Sequence, residues 1–283
     1  MNASTLTCLL LSLFLIGGGQ EKTSFEELKK EGVSAYVSGD YLKAREVLKK
    51  AQQARGTDRD VLYYLGRAYA QDYIYDSAVL VLKQADYLHP GDIEINQAIL
   101  NAAHTSRAWV EAKDALKNLV RLDRAPDDYL ERFNLYYGEI GNVPQLWYYR
   151  SQLLKADPDN PVRYLELANV QLKLDSLDRA VEILEEATTR FEDVPELTTN
   201  LALYYGYANQ DKKAERLFRS LVAQNPENPI YLLNLANVLT TQKDRAKRTE
   251  GLKIYRDIRS QVPREIPIDS LIEAVEAELA DQK

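Results

Sequence analysis

The sequence predicts an all-α solenoid: about seven helix-turn-helix units in series, followed by a C-terminal capping helix. Three observations carry this reading. Ala44, Ala78, Ala112, Ala180 and Ala214 keep step at a spacing of 34 residues, with a diverged Leu146 standing where the series skips one. Blocks beginning at Phe25, Arg59, Ile93, Asp127, Pro161, Pro195 and Pro229 align without a gap until the seventh, and their eighth places hold Gly32, Gly66, Leu100, Asn134, Ala168, Ala202 and Ala236. Pro90, Pro158 and Pro226 recur at the thirty-second place. A fixed period of this length marks a chain built of one supersecondary element, each copy leaning mainly on its neighbours.

Taken in order, residues 1–19 stand outside the period. Leu9 to Ile16 is an apolar run followed by Gly17-Gly18-Gly19. It is shorter than the roughly 20 residues a membrane-spanning helix needs, and the Gly17-x-Gly19 pair suits a signal peptidase, so residues 1–19 are expected to be a signal peptide cut after Gly19. No Lys or Arg precedes the run, which leaves an uncleaved anchor, and so membrane proximity, or a buried N-terminal helix as alternatives. Cleavage implies an exported, periplasmic or envelope-associated protein whose mature chain lacks the lone Cys8.

The array is expected over 25–263. Within a block, apolar residues recur at helical spacing twice, as Leu62, Leu65 and Tyr69 and then Ala78, Leu82 and Ala85, which gives two antiparallel helices. Small residues at the eighth and twentieth places let the two approach, and the prolines end the second helix. The fourth block departs from this pattern with Asn134, Leu146 and Arg150, and starts its second helix at Pro144, a favourable first-turn residue. Irregular packing is expected there. The seventh block needs about three extra residues between Leu239 and Gly251 before Tyr255, Ile258 and Pro263 resume the pattern, so its inter-helix loop should be the longer one. Ser270 and Glu273 form a Ser-x-x-Glu box, and Leu271, Ile272, Val275 and Leu279 make one apolar stripe on a capping helix over 268–282.

Composition narrows the function. The chain has 283 residues, 45% apolar, and a formal charge of -7 that argues against a nucleic-acid partner. One cysteine and two histidines leave little for a metal site, a thiol nucleophile or a histidine-based catalytic pair. No cofactor, metal or small-molecule partner is expected, and no enzymatic activity.

The repeat resembles the tetratricopeptide repeat family. In the second block Leu62, Leu65, Gly66, Tyr69, Ala78, Leu82, Ala85 and Pro90 fill the motif's places, with Leu62 where the motif leads with Trp. The first block adds Gly39, Tyr41, Ala44 and Ala51, and the sixth Tyr205, Ala214, Phe218 and Pro226. The resemblance implies a right-handed solenoid whose first helices line a concave groove, with the second, fifth, sixth, ninth, twelfth and thirteenth places facing into it. It also implies a protein or peptide partner. Co-chaperones of this family grip a C-terminal carboxylate with Lys and Arg, but the matching places here hold Val33, Tyr64 and Glu94, so that clamp is not present in this register.

Groove places hold Asn101, Asn169 and Asn237 at the ninth and Asn200 and Asn234 at the sixth. An asparagine carries both a donor and an acceptor, so a ladder of them pairs with the backbone of an extended peptide whatever its side chains. The competing reading is that they bond between neighbouring helices or face water. Tyr36, Tyr63 and Tyr207 also occupy groove places and are candidate anchors, whereas Tyr69, Tyr137 and Tyr205 at the eleventh place read as core.

Glu26, Asp60, Glu94, Asp128 and Glu196 stand at the second place, where the helix macrodipole favours an acid and explains the row better than a basic partner does. Lys243, Arg245, Lys247 and Arg248 crowd the seventh block's loop, either solvated or facing an anionic membrane or acidic partner. Neither His89 nor His104 suggests catalysis. The functional expectation is a non-catalytic scaffold or assembly factor of the cell envelope. The alternative is an accessory subunit or enzyme acting on envelope polymers through carboxylates such as Glu131 and Glu139.

Overall fold

Short polar residues start most of the helices. In the computed structural model, which describes residues 23–281, side chains of Ser24, Asp40, Asp58, Asp92, Asn142, Asn160, Asn228 and Asp244 accept the first-turn N–H groups that no intrahelical carbonyl can reach. Ser24 and Glu27 form a reciprocal capping box. Proline occupies the first turn of four helices, among them the one that starts at Val143, where Pro144 is the second residue.

The helices are α1 (Phe25–Val37), α2 (Tyr41–Ala54), α3 (Arg59–Gln71), α4 (Tyr75–Leu88), α5 (Ile93–Thr105), α6 (Trp109–Arg121), α7 (Tyr129–Ile140), α8 (Val143–Ala156), α9 (Pro161–Lys173), α10 (Leu177–Arg190), α11 (Pro195–Tyr207), α12 (Asp211–Gln224), α13 (Pro229–Thr241), α14 (Arg245–Ile258) and α15 (Ile268–Asp281). No strand occurs among the described residues. The expected signal peptide, 1–19, lies outside them.

Two compact units part between Tyr129 and Leu130. In the first, α1 packs on α2, α3 on α4 and α5 on α6; each pair then packs on the next through α2·α3 and α4·α5. In the second, α9·α10, α11·α12 and α13·α14 are paired in the same way and joined through α10·α11 and α12·α13, while α14 packs on α15. This is the helix-pair stacking of a tetratricopeptide solenoid. First helices of consecutive repeats also touch directly, α1 with α3, α3 with α5 and α9 with α11, and no comparable contact joins second helices among the described residues. The first helices therefore line the tighter, inner side of each unit.

Close approach depends on the small eighth place. A methyl built on Gly66 would lie 2.5 Å from Leu82 Cγ, and one on Gly32 2.6 Å from Leu48 Cγ. Leu48 and Leu82 are fully buried. Where the eighth place is Asn134, the partner is Arg150: its Nε donates to Asn134 Oδ1 at 3.1 Å and its Nη1 to the Glu166 carbonyl of the next repeat at 2.6 Å. Beside that pair Phe133 and Tyr137 stack on Tyr149, with ring centres 4.5 and 5.3 Å away. Polar bonding and aromatic stacking thus replace the small-against-large fit of the other repeats, which is the irregularity expected there.

The turn inside a repeat is left-handed at its fifteenth place in six successive repeats: Gly39, Tyr73, Arg107, Gly141, Asp175 and Asn209 all have φ between 55° and 85°. Only two of the six are glycine. A buried cross-link ties repeats two and three, where Asn96, fully buried, donates to Asp86 Oδ1 at 2.8 Å and accepts from Asn118 at 2.9 Å. Charged pairs about one period apart add to it, such as Arg59 with Asp92 and Arg219 with Glu250.

Two expectations need correction. In the seventh repeat α13 ends at Thr241 and α14 starts at Arg245, the same interval as in the second, and the extra length follows α14 instead, between Ile258 and Ile268. Gly251, whose added methyl would lie 3.0 Å from the Ala236 carbonyl oxygen, supplies the close approach there. The twentieth place holds Arg248, which turns to the Gln242 carbonyl and Glu278. The capping helix starts at Ile268, two residues before Ser270, so the Ser270–Glu273 box does not open it. Burial of Ile268 against Leu252, Tyr255 and Ile258 pulls the start of the helix forward.

Candidate functional site

The candidate site is the inner face of each unit, and its side chains follow from the periodicity of the first helices. In the first unit α3 presents Arg59, Asp60, Tyr63, Tyr64 and Arg67, flanked by Lys29 and Tyr36 of α1 and by Glu94 and Asn101 of α5. Tyr36 sits 5.2 Å from Tyr64 and 5.5 Å from Tyr41, and Tyr63 5.1 Å from Tyr64, all tilted or edge-on. Tyr63 is only 7% exposed and its hydroxyl accepts from Arg67 Nη1 at 2.9 Å. It supports the face more than it offers an open anchor, and Tyr36 is half-buried.

The acidic row is neutralised from within. Lys29 bridges Asp58 and Asp60, and Arg59 bridges Asp60, Asp92 and Glu94. The Asp92 and Arg59 partners lower the carboxyl pKa of one and raise the guanidinium pKa of the other, chiefly through their shared hydrogen bonds. Cross-repeat pairing therefore joins the macrodipole as a reason for acids at the second place.

In the second unit the asparagines divide. Asn169 accepts from the Tyr204 hydroxyl of the next first helix at 2.5 Å, and Asn237 accepts from the Tyr255 hydroxyl at 2.5 Å, so both bond between helices. Burial pushes the pKa of both tyrosines up. Asn200 donates to the Glu196 carbonyl of its own helix at 2.7 Å. Asn234 is half-buried on α13. Asn101 stands exposed in the other unit, lining a recess with Arg67. Tyr207 is 60% exposed, with its ring 6.0 Å from that of Tyr204. Of the eleventh-place tyrosines, Tyr137 and Tyr205 are buried and Tyr69 is half-buried.

The basic cluster is not a loop. Arg245, Lys247 and Arg248 lie in the first turn of α14. Lys247, Gln242 and Arg219 all donate to Glu215, which is 9% exposed. Burial alone would raise the Glu215 pKa, but these three donors outweigh it and hold the carboxyl at about 2. Much of the positive charge is thus absorbed inside the protein. Glu131 and Glu139 are both exposed on α7, with Arg163 3.5 Å from Glu131. Among the described residues no helix is long and apolar enough to cross a membrane, and no group of three or more His, Cys, Asp or Glu could hold a metal ion.

Periodicity alone did not single out Arg67 and the buried Asn96. Arg67 shares the ninth place with Asn101 one repeat later, and that shared place was the available signal.

Comparison with known proteins gives a consistent picture. A tetratricopeptide repeat family model matches residues 29–93 and 199–247. No curated protein sequence matches the chain. Among solved structures, the chain is similar to one in the Naa15/Naa10 complex bound to HypK-THB, with a TM-score of 0.67 and 16% identity over 86% of this chain. It spans 37% of that longer chain. A tetratricopeptide repeat protein from Parabacteroides merdae matches at 14% identity and TM-score 0.43, covering 89% of this chain and 98% of its own. PilF of Pseudomonas aeruginosa matches at 15% and 0.43, covering 79% and 100%. At such identities the likeness of the first speaks for the fold alone.

Proposed function

We propose that the chain is a non-catalytic interaction scaffold that holds an extended polypeptide segment against the inner faces of its first helices. The direct contacts between successive first helices support this above all, because they set amides and aromatic rings side by side across α1, α3 and α5 in the first unit and across α9 and α11 in the second. A strand-like segment laid across such a face meets one repeat after another. Amide side chains then serve its backbone while its side chains point between them.

Asn200, Asn234 and Tyr207 carry this in the second unit, and Arg67 and Asn101 in the first. Asn169 and Asn237 act behind them, positioning Tyr204 and Tyr255. On this reading the N-terminal apolar run supports a role in the cell envelope, with a partner that is itself exported or membrane-bound.

A random-peptide display library panned against the intact chain tests the reading. Peptides recovered should lose about tenfold or more in affinity on Asn234→Ala with Tyr207→Ala. Leu80→Ser with Tyr87→Ser, at 72% and 85% exposed positions on the second helix α4, should leave them bound. The reverse pattern, or no peptide recovered, refutes it.

A further inference from the structure

Between α3 and α5 lies a recess of about 280 Å³ whose single charged lining residue is Arg67. Neighbouring cations on the face, Lys29 and Arg59, are neutralised by two and three acids. No carboxylate among the described residues lies within ion-pairing distance of Arg67. Its guanidinium instead sits 5.1 Å from the centre of the Tyr36 ring and 5.3 Å from that of Tyr63, and Nη1 donates to the Tyr63 hydroxyl at 2.9 Å. Ring faces and a phenol fix the plane of the guanidinium without cancelling its charge, and most of its five N–H groups remain for an acceptor. Asn101 lines the same recess and brings an amide donor.

The recess wall is aromatic. Tyr73 holds a φ of 61° in the left-handed turn that Arg107, Asp175 and Asn209 share in later repeats. Tyr73 is 81% exposed, edge-on to Tyr75 with ring centres 6.3 Å apart, and both line the recess. An aromatic wall beside a preset, uncompensated guanidinium suits a short aliphatic stem ending in an anion. The volume falls below the roughly 300–1,000 Å³ of drug-sized ligand pockets, which fits the end of one side chain.

We propose that this recess takes a carboxylate of the captured segment, from an Asp or Glu side chain or from the C-terminus, gripped side-on by Arg67 with Asn101 as a further donor. The places that co-chaperones use for such a grip hold Val33, Tyr64 and Glu94, so this is a different location on the face. The assignment rests on the inner-face reading above.

The test uses the peptides recovered by display against the intact chain, each resynthesised in four forms: with and without its acidic residues, and with a free or an amidated C-terminus. Binding is followed by fluorescence anisotropy at low and moderate salt. Loss of the relevant carboxylate should weaken binding about tenfold or more, the form affected telling side chain from terminus, and added salt should shrink the difference. Arg67→Gln and, separately, Asn101→Ala should reduce that discrimination to within about twofold. Equal binding of acidic and neutral forms overturns the carboxylate site and leaves the inner-face reading standing. Discrimination that survives Arg67→Gln in a variant with native circular dichroism also overturns it, and recovery of no peptide overturns both.

Discussion

Gly66→Ala tests the packing on which every repeat depends. The new methyl would lie 2.5 Å from Leu82 Cγ, 2.7 Å from Cδ2 and 3.3 Å from Cδ1, and Leu82 is fully buried, so its side chain or the α3–α4 spacing must give way by about 1 Å. Overpacking of that kind costs about 1–3 kcal/mol, and alanine in place of glycine within a helix returns up to about 1 kcal/mol. The balance is a loss of about 1–2 kcal/mol. Leu82→Ala alone should cost about 2–5 kcal/mol by leaving a cavity. In that background the obstruction is gone, and Gly66→Ala should become neutral or stabilising by up to about 1 kcal/mol. Urea unfolding followed at Trp109, which lies in the same unit, with Trp147→Phe to silence the other indole, measures all four corners of the cycle. A change of sign between the two backgrounds is the expected result. A Gly66→Ala effect that is favourable in both would mean that α3 and α4 do not approach as closely as described.

Two further outcomes follow from the polar cores. Glu215, held at about 2 against an ordinary value of 4.5, contributes stability that is complete above the unfolded pKa and is lost as pH falls from about 5 towards 2, at most about 3 kcal/mol in all; the gap in urea midpoint between wild type and Glu215→Gln should therefore narrow from pH 6 to pH 3, and a gap constant with pH would sink the assignment. Arg150→Met leaves Asn134 and the Glu166 carbonyl without their donor and should lower stability by about 2–3 kcal/mol, whereas Asn134→Ala with Arg150→Leu, which recreates the pairing of Ala168 with Leu184, should recover much of that loss in thermal unfolding.

The solenoid was readable because its signals are steric and local. A small residue at the eighth and twentieth places and proline at the thirty-second say where helices touch and where they end. The left-handed turn at the fifteenth place was not readable, since Tyr73 and Arg107 bear no mark of that conformation and only the glycines and Asn209 and Asp175 hint at it. The seventh repeat was misaligned because Gly251 performs the close approach one turn later than the motif's alanine, and an insertion was the simpler fit to the letters.

Side-chain partnerships explain the remaining gap at the candidate site. Asn169 and Asn237 share their place with Asn101, yet they meet tyrosine hydroxyls because Tyr204 and Tyr255 stand opposite, a fact of three-dimensional neighbourhood that a one-helix pattern does not contain. The acidic row likewise revealed its partners only when Lys29 and Arg59 were seen to reach across to the following repeat.

Repeat arrays are commonly regarded as interchangeable bricks, and Arg150 sets a limit on that view here. Its guanidinium grasps an amide in its own brick and a main-chain oxygen in the next, so transplanting either piece without the other leaves a half-buried cation short of its acceptors. Any shuffling, deletion or duplication of this chain that respects the period but severs that grasp should lower stability, as should a cut between repeats two and three that leaves the buried Asn96 without Asp86. The fourth brick is a keyed one, and the order of the masonry around it is fixed.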